Sequence, residues 1–197
     1  PGWHIECSAM SLKLLGERFD IHGGGTDLLF PHHEAEIFQS ECCLGHEPVV
    51  QYWIHNGMIN VDGEKMSKSL GNFWTIKDAL EKVDPLVLRY TMINAPYRQP
   101  IDFNQKMLDE SSVHHKRMVS VYGESLSSFG TNDWGDVDIL ESTSKRFTAA
   151  MNDDFNTRNA VVEVQSVVNS LRSLLDNGAD TDILAAGAGW LSEFAGE

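Results

Sequence analysis

The chain has 197 residues, of which 42% are hydrophobic, and it carries a formal net charge of −14. This length and apolar content suffice for one substantial core or two small ones. Such an acidic chain is not expected to coat nucleic acid in general, although a local basic patch remains compatible with it. Because no apolar run approaches membrane-spanning length and no signal segment opens the chain, we expect no membrane segment.

The cysteines indicate a reducing environment. There are three, Cys7, Cys42 and Cys43, and an odd number with two adjacent members is a poor disulfide framework. We therefore expect a cytoplasmic protein in which Cys7 is available as a thiolate ligand. Cys42 and Cys43 are interpreted as small core residues on a helix. The sequence opens without an initiator Met, and we expect it to begin partway through a larger fold.

The first part of the chain alternates strands and helices. Residues 3–6 are predicted to be extended, and residues 7–15 show helical spacing that ends at Gly16. A short strand over residues 19–22 then runs directly into three glycines, at residues 23–25. A strand that ends in glycines lets a ligand approach the backbone closely.

A second helix and two further strands follow. Pro31 is predicted to occupy the first turn of a helix that continues over residues 32–44. Residues 49–55 indicate a buried strand, and residues 58–65 indicate a hairpin that turns at Asp62-Gly63. This alternation predicts an α/β sheet with parallel strands, whose ligand crevice lies at the carboxyl ends of the strands, where the glycines fall.

The remainder of the chain has an almost wholly helical pattern. Two short helices are predicted first, one capped by Thr75 and continuing to Val83, the other starting at Asp84-Pro85. After a break at residues 97–100, four longer helices are predicted at about residues 105–128, 137–152, 157–175 and 181–194. The predicted fold class is therefore α/β followed by all-α.

Cys7, His32 and Glu36 form the first candidate for chemistry. His32 and Glu36 are four residues apart on a predicted helix, so both side chains project from one face. Thiolate, imidazole and carboxylate are all good zinc ligands. From spacing alone, however, such a pair is more typical of a helix-surface contact than of a metal site.

The second candidate is the pentapeptide Lys-Met-Ser-Lys-Ser at residues 65–69. It carries two ammonium groups and two hydroxyls between Gly63 and Gly71. A lysine is a compact charge suited to a polyphosphate whose charge grows during a reaction. The alternative interpretation is a solvated basic loop.

Other polar residues have structural interpretations. His33 is interpreted as a core or capping histidine, whereas His55 and Asn56 either line a pocket or end a strand. His114 and His115 are predicted to face solvent rather than to bind a metal, because adjacent side chains on a helix point apart.

Taken together, four motifs resemble the second half of the catalytic domain of the cysteinyl-tRNA synthetases, which are class I aminoacyl-tRNA synthetases. The resemblance continues more loosely through Arg89, Tyr97-Arg98 and residues 153–157. It implies a partial Rossmann-like parallel sheet followed by a helical bundle that supports tRNA docking. The four motifs, in chain order, are PGWHIECSAM from Pro1, FDIHGGG from Phe19, FPHHEAE from Phe30 and KMSKS from Lys65.

The resemblance implies a zinc site that reads the substrate. In this family, two cysteines, a histidine and a glutamate hold a zinc ion that binds the thiolate of cysteine. Cys7 matches the second cysteine, His32 the histidine and Glu36 the glutamate. Zinc prefers a thiolate far more than a serine hydroxyl, so cysteine is selected without an editing site. Trp3 and His22 fall where the family lines the cysteine pocket.

The resemblance also implies an ATP site, with Mg²⁺ accompanying ATP. Lys68 matches the second lysine of the signature, which contacts the triphosphate and stabilises charge as pyrophosphate leaves, and Lys65 is a helper. Asp27 falls where a carboxylate can bond the ribose hydroxyls. The backbone is expected to meet adenosine at Gly23, Gly24 and Gly25.

Some parts of the family pattern do not occur in this sequence. They are the His-Ile-Gly-His motif, the first zinc cysteine and the anticodon-recognising module. We therefore expect the isolated chain to be inactive and the missing N-terminal half of the enzyme to be a possible partner. The expected domains are residues 1–72, with the zinc site and signature loop, residues 73–103, a connecting region, and residues 104–197, a helical bundle.

The implied reaction is the ATP-dependent activation of cysteine to cysteinyl-adenylate, followed by transfer to tRNA(Cys), by an enzyme that is monomeric at full length. Two alternatives remain open. One is a ligase that passes activated cysteine to a small amine, as in mycothiol biosynthesis. The other is a non-catalytic binding module derived from a synthetase.

Overall fold

The computed structural model describes residues 2–61, 63–67, 69, 71–72, 74–178 and 180–195. The chain divides into two compact units. The first comprises Pro1–Lys65 and Tyr97–Asp102, and the second comprises Met66–Pro96 and Phe103–Glu197. The division into three domains that the sequence suggests, at residues 1–72, 73–103 and 104–197, stays a prediction.

The first unit combines helices with two small sheets. Its elements are α1 (His4–Leu15), β1 (Phe19–Gly25), α2 (Glu34–Leu44), β2 (Val50–Asn56), β3 (Ile59–Val61) and β4 (Glu64–Lys65), and β5 (Ile101–Phe103) begins in it later in the chain. β1 and β2 pair in parallel, and the second sheet has the order β4-β3-β5. The parallel pairing of β1 with β2 and the antiparallel pairing of β3 with β4 confirm the sequence predictions. Asp62 of the predicted turn lies outside the described residues.

The parallel register fixes which residues become neighbours. Phe19 pairs with Val50 at one end of the two strands, and Gly25 pairs with Asn56 at the other. The glycine tract therefore belongs to β1 itself instead of following it as a loop. His22 lies opposite Trp53 in the same ladder. In the carboxyl halves of the two strands, His22 and the glycines of β1 are therefore neighbours of the aromatic residues of β2.

The prediction that residues 3–6 are extended is wrong. Trp3 already has helical torsion angles, with φ −61° and ψ −18°, and α1 begins at His4. The backbone N–H groups of Ile5 and Glu6 donate to the carbonyls of Gly2 and Trp3, at 3.2 and 3.0 Å. These turn hydrogen bonds continue the helix to its amino end without a side-chain cap. The predicted end of the helix, at Gly16, is confirmed.

α2 begins later than predicted, at Glu34, after a wider π-type turn over Leu29–His33. Phe30 has extended torsion angles, φ −135° and ψ 132°. The ring of the following proline, Pro31, disfavours the helical region for the residue that precedes it. The regular helix is therefore delayed by about one turn, but it ends as predicted at Gly45, which is left-handed with φ 70°.

The prediction that Cys42 and Cys43 are core residues is wrong, because both are exposed. The only buried residue of α2 is Glu36. α2 therefore presents a polar side chain, not an apolar stripe, at its fully buried position.

The second unit is helical. α3 (Ile76–Leu80) begins with a capping box, in which Thr75 and Asp78 each accept from the other's backbone N–H. α3 ends at Leu80, short of the predicted Val83. The other helices agree with the predicted positions to within two residues and are α4 (Pro85–Ile93), α5 (Gln105–Phe129), α6 (Asp138–Asn152), α7 (Thr157–Asn177) and α8 (Thr181–Ala195).

The core of the second unit is centred on Trp190 of α8, which is fully buried. It packs in one cluster with Val121 of α5, Leu140 of α6 and Val168 of α7. The indole N–H of Trp190 donates to Ser144 Oγ at 2.6 Å, so this large side chain is buried with its polar atom satisfied. Among the described residues, no helix is both long enough and apolar enough to cross a bilayer.

Candidate functional site

Cys7, His32 and Glu36 meet in the first unit. Cys7 comes from α1, Glu36 from the first turn of α2, and His32 from the turn that precedes it. One donor atom of each lies within 4.8 Å of the other two. His32 and Glu36 are 5% and 3% exposed, and Cys7 is partly buried. We call these three residues the thiolate donor set.

Burial sets the electrostatics of this donor set. It raises the pKa of Glu36 to about 7, because the carboxylate loses its hydration. The pKa of the Cys7 thiol is raised by burial and then by the carboxylates of Glu36 and Glu6. Without a metal ion, the site thus disfavours the carboxylate form of Glu36 and the thiolate form of Cys7. A bound cation would stabilise both of these anions.

The hydrogen bonding is also incomplete. His32 Nε2 lies 2.9 Å from Glu36 Oε1. Even so, within the described part of the chain, His32 Nδ1 and Glu36 Oε1 are buried without a well-oriented hydrogen bond. Native proteins rarely leave buried polar atoms in this state unless water or an ion satisfies them. Unsatisfied imidazole and carboxylate atoms beside a thiol fit a zinc ion.

The two residues predicted to line a cysteine pocket lie beside the thiolate donor set. The ring of Trp3 is 62% exposed, and its centroid is 4.0 Å from that of His32. His22 Nε2 lies 3.6 Å from Glu36 Oε2, and the His22 ring stacks on Trp53 with centroids 4.6 Å apart. In the structure, therefore, Trp3 lies beside His32 and His22 lies beside Glu36.

Sequence reasoning did not assign His33 and Trp53 to this site, and it left His55 either lining a pocket or ending a strand. His33 is 2% exposed, and its Nδ1 lies 2.7 Å from His55 Nε2. The His33 ring centroid is 5.0 Å from that of Trp53. Burial, and then the neighbouring histidines, lower the pKa of His33 to about 4, so this ring is neutral at physiological pH. The parallel pairing of residues 19–25 with 50–56 was the one signal that could have placed these rings together.

A cavity of about 360 Å³ borders this cluster inside the first unit. His22 and Glu36 lie on its wall, and α1, α2, β1 and β2 enclose it. Most of the rest of the lining is apolar, including Ile5, Leu12 and Val50. A mostly apolar cavity with a few polar groups on its wall is a common arrangement in binding sites for small molecules.

The glycine tract is tightly packed against this cluster. A Cβ atom at Gly24 would lie 2.9 Å from His33 Cε1 and 3.0 Å from Leu28 Cδ1, and one at Gly25 would collide with the carboxylate of Asp27. Gly24 is therefore required for the position of the His33 ring. Asp27 is exposed, in a single turn over Thr26–Leu28.

The signature pentapeptide is described in part. Lys65 is exposed at the end of β4, and Lys68 lies outside the described residues. The backbone N–H of Ser67 donates to Asn72 Oδ1 at 2.8 Å, and the hydroxyls of Ser67 and Ser69 are 2.6 Å apart. These hydrogen bonds link the described serines of the pentapeptide to each other and to Asn72.

The histidine pair on α5 does not belong to the cluster. His114 is exposed, as predicted, but His115 is half-buried, with its ring centroid 6.3 Å from that of Tyr90. Neither is part of a possible metal-binding group among the described residues.

Two family models match the chain. The family described as "tRNA synthetases class I (C) catalytic domain" matches residues 1–113. The family described as "DALR domain" matches residues 146–196. The first match contains every residue of the cluster described above, and the second falls in the helical unit.

Curated relatives carry the name "Cysteine--tRNA ligase". The one from Geobacter metallireducens is 50% identical over 186 residues, which is 90% of this chain and 38% of the relative. The one from Aromatoleum aromaticum is 51% identical over 169 residues, 86% of this chain and 35% of the relative. The one from Acinetobacter baylyi is 53% identical over 161 residues, 82% of this chain and 33% of the relative. This chain thus spans between a third and two fifths of the length of these relatives.

A solved structure shares the fold. It is described as the "ternary complex of Agrobacterium radiobacter K84 agnB2 LeuRS-tRNA-LeuAMS" and matches with a TM-score of 0.71. The match covers 89% of this chain and 25% of that chain, at 20% sequence identity. At this identity the similarity is one of fold, a partial Rossmann-like sheet followed by helices.

Proposed function

Since the chain belongs to the class I (C) tRNA synthetases, the family of the cysteinyl-tRNA synthetases, we propose that it supplies the amino-acid-recognising part of a cysteine–tRNA ligase. The proposed reaction joins cysteine to ATP, releases pyrophosphate, and passes the cysteinyl group from the adenylate to tRNA(Cys). The meeting of Cys7, His32 and Glu36 in one buried donor set carries this proposal.

Recognition of cysteine follows from the chemistry of the thiolate donor set. A zinc ion held by Cys7, His32 and Glu36 would lower the pKa of a thiol and favour a thiolate ligand over a hydroxyl. The protein's own contribution is to exclude water, because His32 and Glu36 are almost fully buried. Trp3 and His22 flank the set and would limit the size and orientation of the bound amino acid.

We assign the ATP-binding role to the glycine tract and the signature pentapeptide. Gly23, Gly24 and Gly25 have no side chains, so a ligand can approach their backbone closely. The carboxylate of Asp27 is exposed and therefore accessible to a ligand. Lys65 and Lys68 would bind the triphosphate together with Mg²⁺. Activation then depends on positioning and on charge stabilisation, with no covalent step on the protein.

The tRNA acceptor is favoured over a small amine by the helical unit. The DALR-domain match at residues 146–196 is separate from the catalytic-domain match, and the name shared by the relatives specifies tRNA. We place the enzyme in the cytoplasm, in agreement with its three free cysteines, and we expect a monomer at full length.

A chimera tests this function directly. Replacing the corresponding segment of the Geobacter metallireducens cysteine–tRNA ligase with this chain should give an enzyme that charges tRNA(Cys) with cysteine. Aminoacylation by the chimera is measured with cysteine and with serine. We expect cysteine to be used and serine to be rejected.

The test variant is the same chimera with Glu36→Gln. Its matched control carries Glu34→Gln, since Glu34 is exposed on the same helix. We expect the first substitution to abolish charging and the second to leave it intact. A folded chimera that charges equally well with Glu36→Gln would refute the assignment of the thiolate donor set.

A further inference from the structure

A second set of metal donors lies beside the first. His22, His33 and Glu36 each offer one ligand atom within 4.8 Å of the other two. His33 and Glu36 are 2% and 3% exposed, and the side chain of His22 is 17% exposed. We call these three residues the imidazole donor set. It contains no thiol and shares only Glu36 with the thiolate donor set.

The carboxylate of Glu36 faces both sets. Its Oε1 atom lies 2.9 Å from His32 Nε2, whereas its Oε2 atom lies 3.6 Å from His22 Nε2. A carboxylate can use its two oxygens toward different cations. Glu36 can therefore contribute a ligand oxygen to either donor set in the orientation that it has.

The imidazole donor set also has the outer support that metal-binding histidines need. His33 Nδ1 lies 2.7 Å from His55 Nε2, and the His22 ring stacks on Trp53. Such contacts restrict the orientation of each ring, as the outer partners of a metal-binding histidine do. Gly24 packs directly against the His33 ring, which further restricts its movement.

We propose that His22, His33 and Glu36 form a second binding site for a first-row divalent cation, distinct from the site that includes Cys7. Two imidazoles and one carboxylate suit Co²⁺, Ni²⁺ and Zn²⁺, and do not require a thiolate. Ligands about 2 Å from such an ion lie roughly 3 to 4 Å apart, so modest side-chain adjustment closes either set.

This site has a consequence for the metal content of the chain. When the Cys7 thiol is oxidised or alkylated, a divalent cation remains bound through the imidazole donor set. The inference depends only on the positions of His22, His33 and Glu36 and holds whether or not the ligase function is correct.

The test isolates the imidazole donor set by removing the other one. In the Cys7→Ser/His32→Gln chain, we expect Co²⁺ to bind with one equivalent and without thiolate-to-cobalt charge-transfer absorption. Adding His33→Gln or His22→Gln should weaken Co²⁺ binding by at least about tenfold. Adding His114→Gln, which removes an exposed histidine of α5, should leave it unchanged. Circular dichroism of each metal-free variant checks its fold.

A second measurement does not depend on substitutions. In the natural chain with its thiols alkylated, Co²⁺ should shift the ring-proton NMR signals of His22 and His33 strongly, because the ion is paramagnetic. Either of two results would overturn the proposal. One is that the double variant binds Co²⁺ no better than both triple variants. The other is that the ring signals of His22 and His33 do not move in the alkylated chain.

Discussion

At the scale of single residues, Glu36 is the centre of the candidate site. It is buried, its pKa is raised to about 7, and its two oxygens face different histidines. The spacing of His32 and Glu36 on one helical face was readable from the sequence. The approach of Cys7 and His22 was expected only from the family resemblance, because no local pattern joins four separate segments of the chain.

We expect Glu36→Gln to lower the affinity of the chain for Zn²⁺ by at least about tenfold, because glutamine keeps the shape of the side chain but removes the anionic ligand. Isothermal titration calorimetry with the metal-free chain measures the change. Glu34→Gln, two residues earlier and exposed, should leave the affinity as it is. Equal Zn²⁺ affinities for the Glu36→Gln and Glu34→Gln chains would show that Glu36 is not a ligand.

Gly24 is the residue at which a single methyl group should be costly. Gly24→Ala would place a Cβ atom 2.9 Å from His33 Cε1, and we expect it to reduce the free energy of unfolding by about 1–3 kcal/mol. Urea unfolding followed by circular dichroism measures this loss.

The matched control for Gly24→Ala lies in an exposed part of α5. A Cβ atom at Gly123 meets nothing within 4 Å, so Gly123→Ala should stabilise the helix by up to about 1 kcal/mol. If alanine at Gly24 were tolerated as well as at Gly123, the His33 ring would not be held by the close approach of the backbone.

At the scale of elements, α2 explains why part of the sequence prediction failed. A helix of a soluble protein usually buries an apolar stripe. α2 instead buries Glu36, while Phe38 is 72% exposed and Cys42 and Cys43 face outward. Local hydrophobic pattern and buried face disagree here, as is common at functional sites. The misplacement of the two cysteines follows from that disagreement.

Elsewhere, element positions were predictable because their signals are local. Thr75 and Asp84 cap their helices with side-chain hydrogen bonds, and Gly45 ends α2 in a left-handed conformation. At the start of α1 no side chain caps the helix, and there the prediction of an extended segment failed.

The contact between α6 and α8 provides a test of the helical unit. Ser144→Ala would leave the buried indole N–H of Trp190 without its 2.6 Å acceptor. We expect a loss of about 1–3 kcal/mol in the free energy of unfolding. Thermal and urea denaturation measure it. Ser142→Ala, at an exposed position of α6, should change the stability by less than about 0.5 kcal/mol. A similar change for both variants would mean that the hydrogen bond contributes little.

At the scale of the whole molecule, the two units differ in how far the sequence predicts them. The helical unit follows from periodicity and capping, and its core around Trp190 of α8 is completed by three other helices, α5, α6 and α7. The site in the first unit depends on the parallel register of β1 and β2, which aligns His22 with Trp53 and Gly24 with His55. Register is a long-range property, so the strands were predictable and the cluster of rings was not.

The catalytic-domain match, over residues 1–113, covers the first unit and extends into the helical unit. The catalytic-domain match includes all of the thiolate and imidazole donor sets, whereas the DALR-domain match lies within the helical unit. With a net charge of −14, the proposed contact with tRNA would depend on local features rather than on a generally basic surface.

The most direct test of the central claim is whether the metal-loaded chain distinguishes cysteine from serine. The His33→Gln chain, which lacks the imidazole donor set, is loaded with one equivalent of Co²⁺, and its absorption spectrum is recorded while either amino acid is added. We predict that cysteine increases the thiolate-to-cobalt charge-transfer absorption at a saturable concentration and that serine leaves the spectrum unchanged. An unchanged spectrum with cysteine, or the same change with serine, would contradict recognition of the substrate thiolate by Cys7, His32 and Glu36.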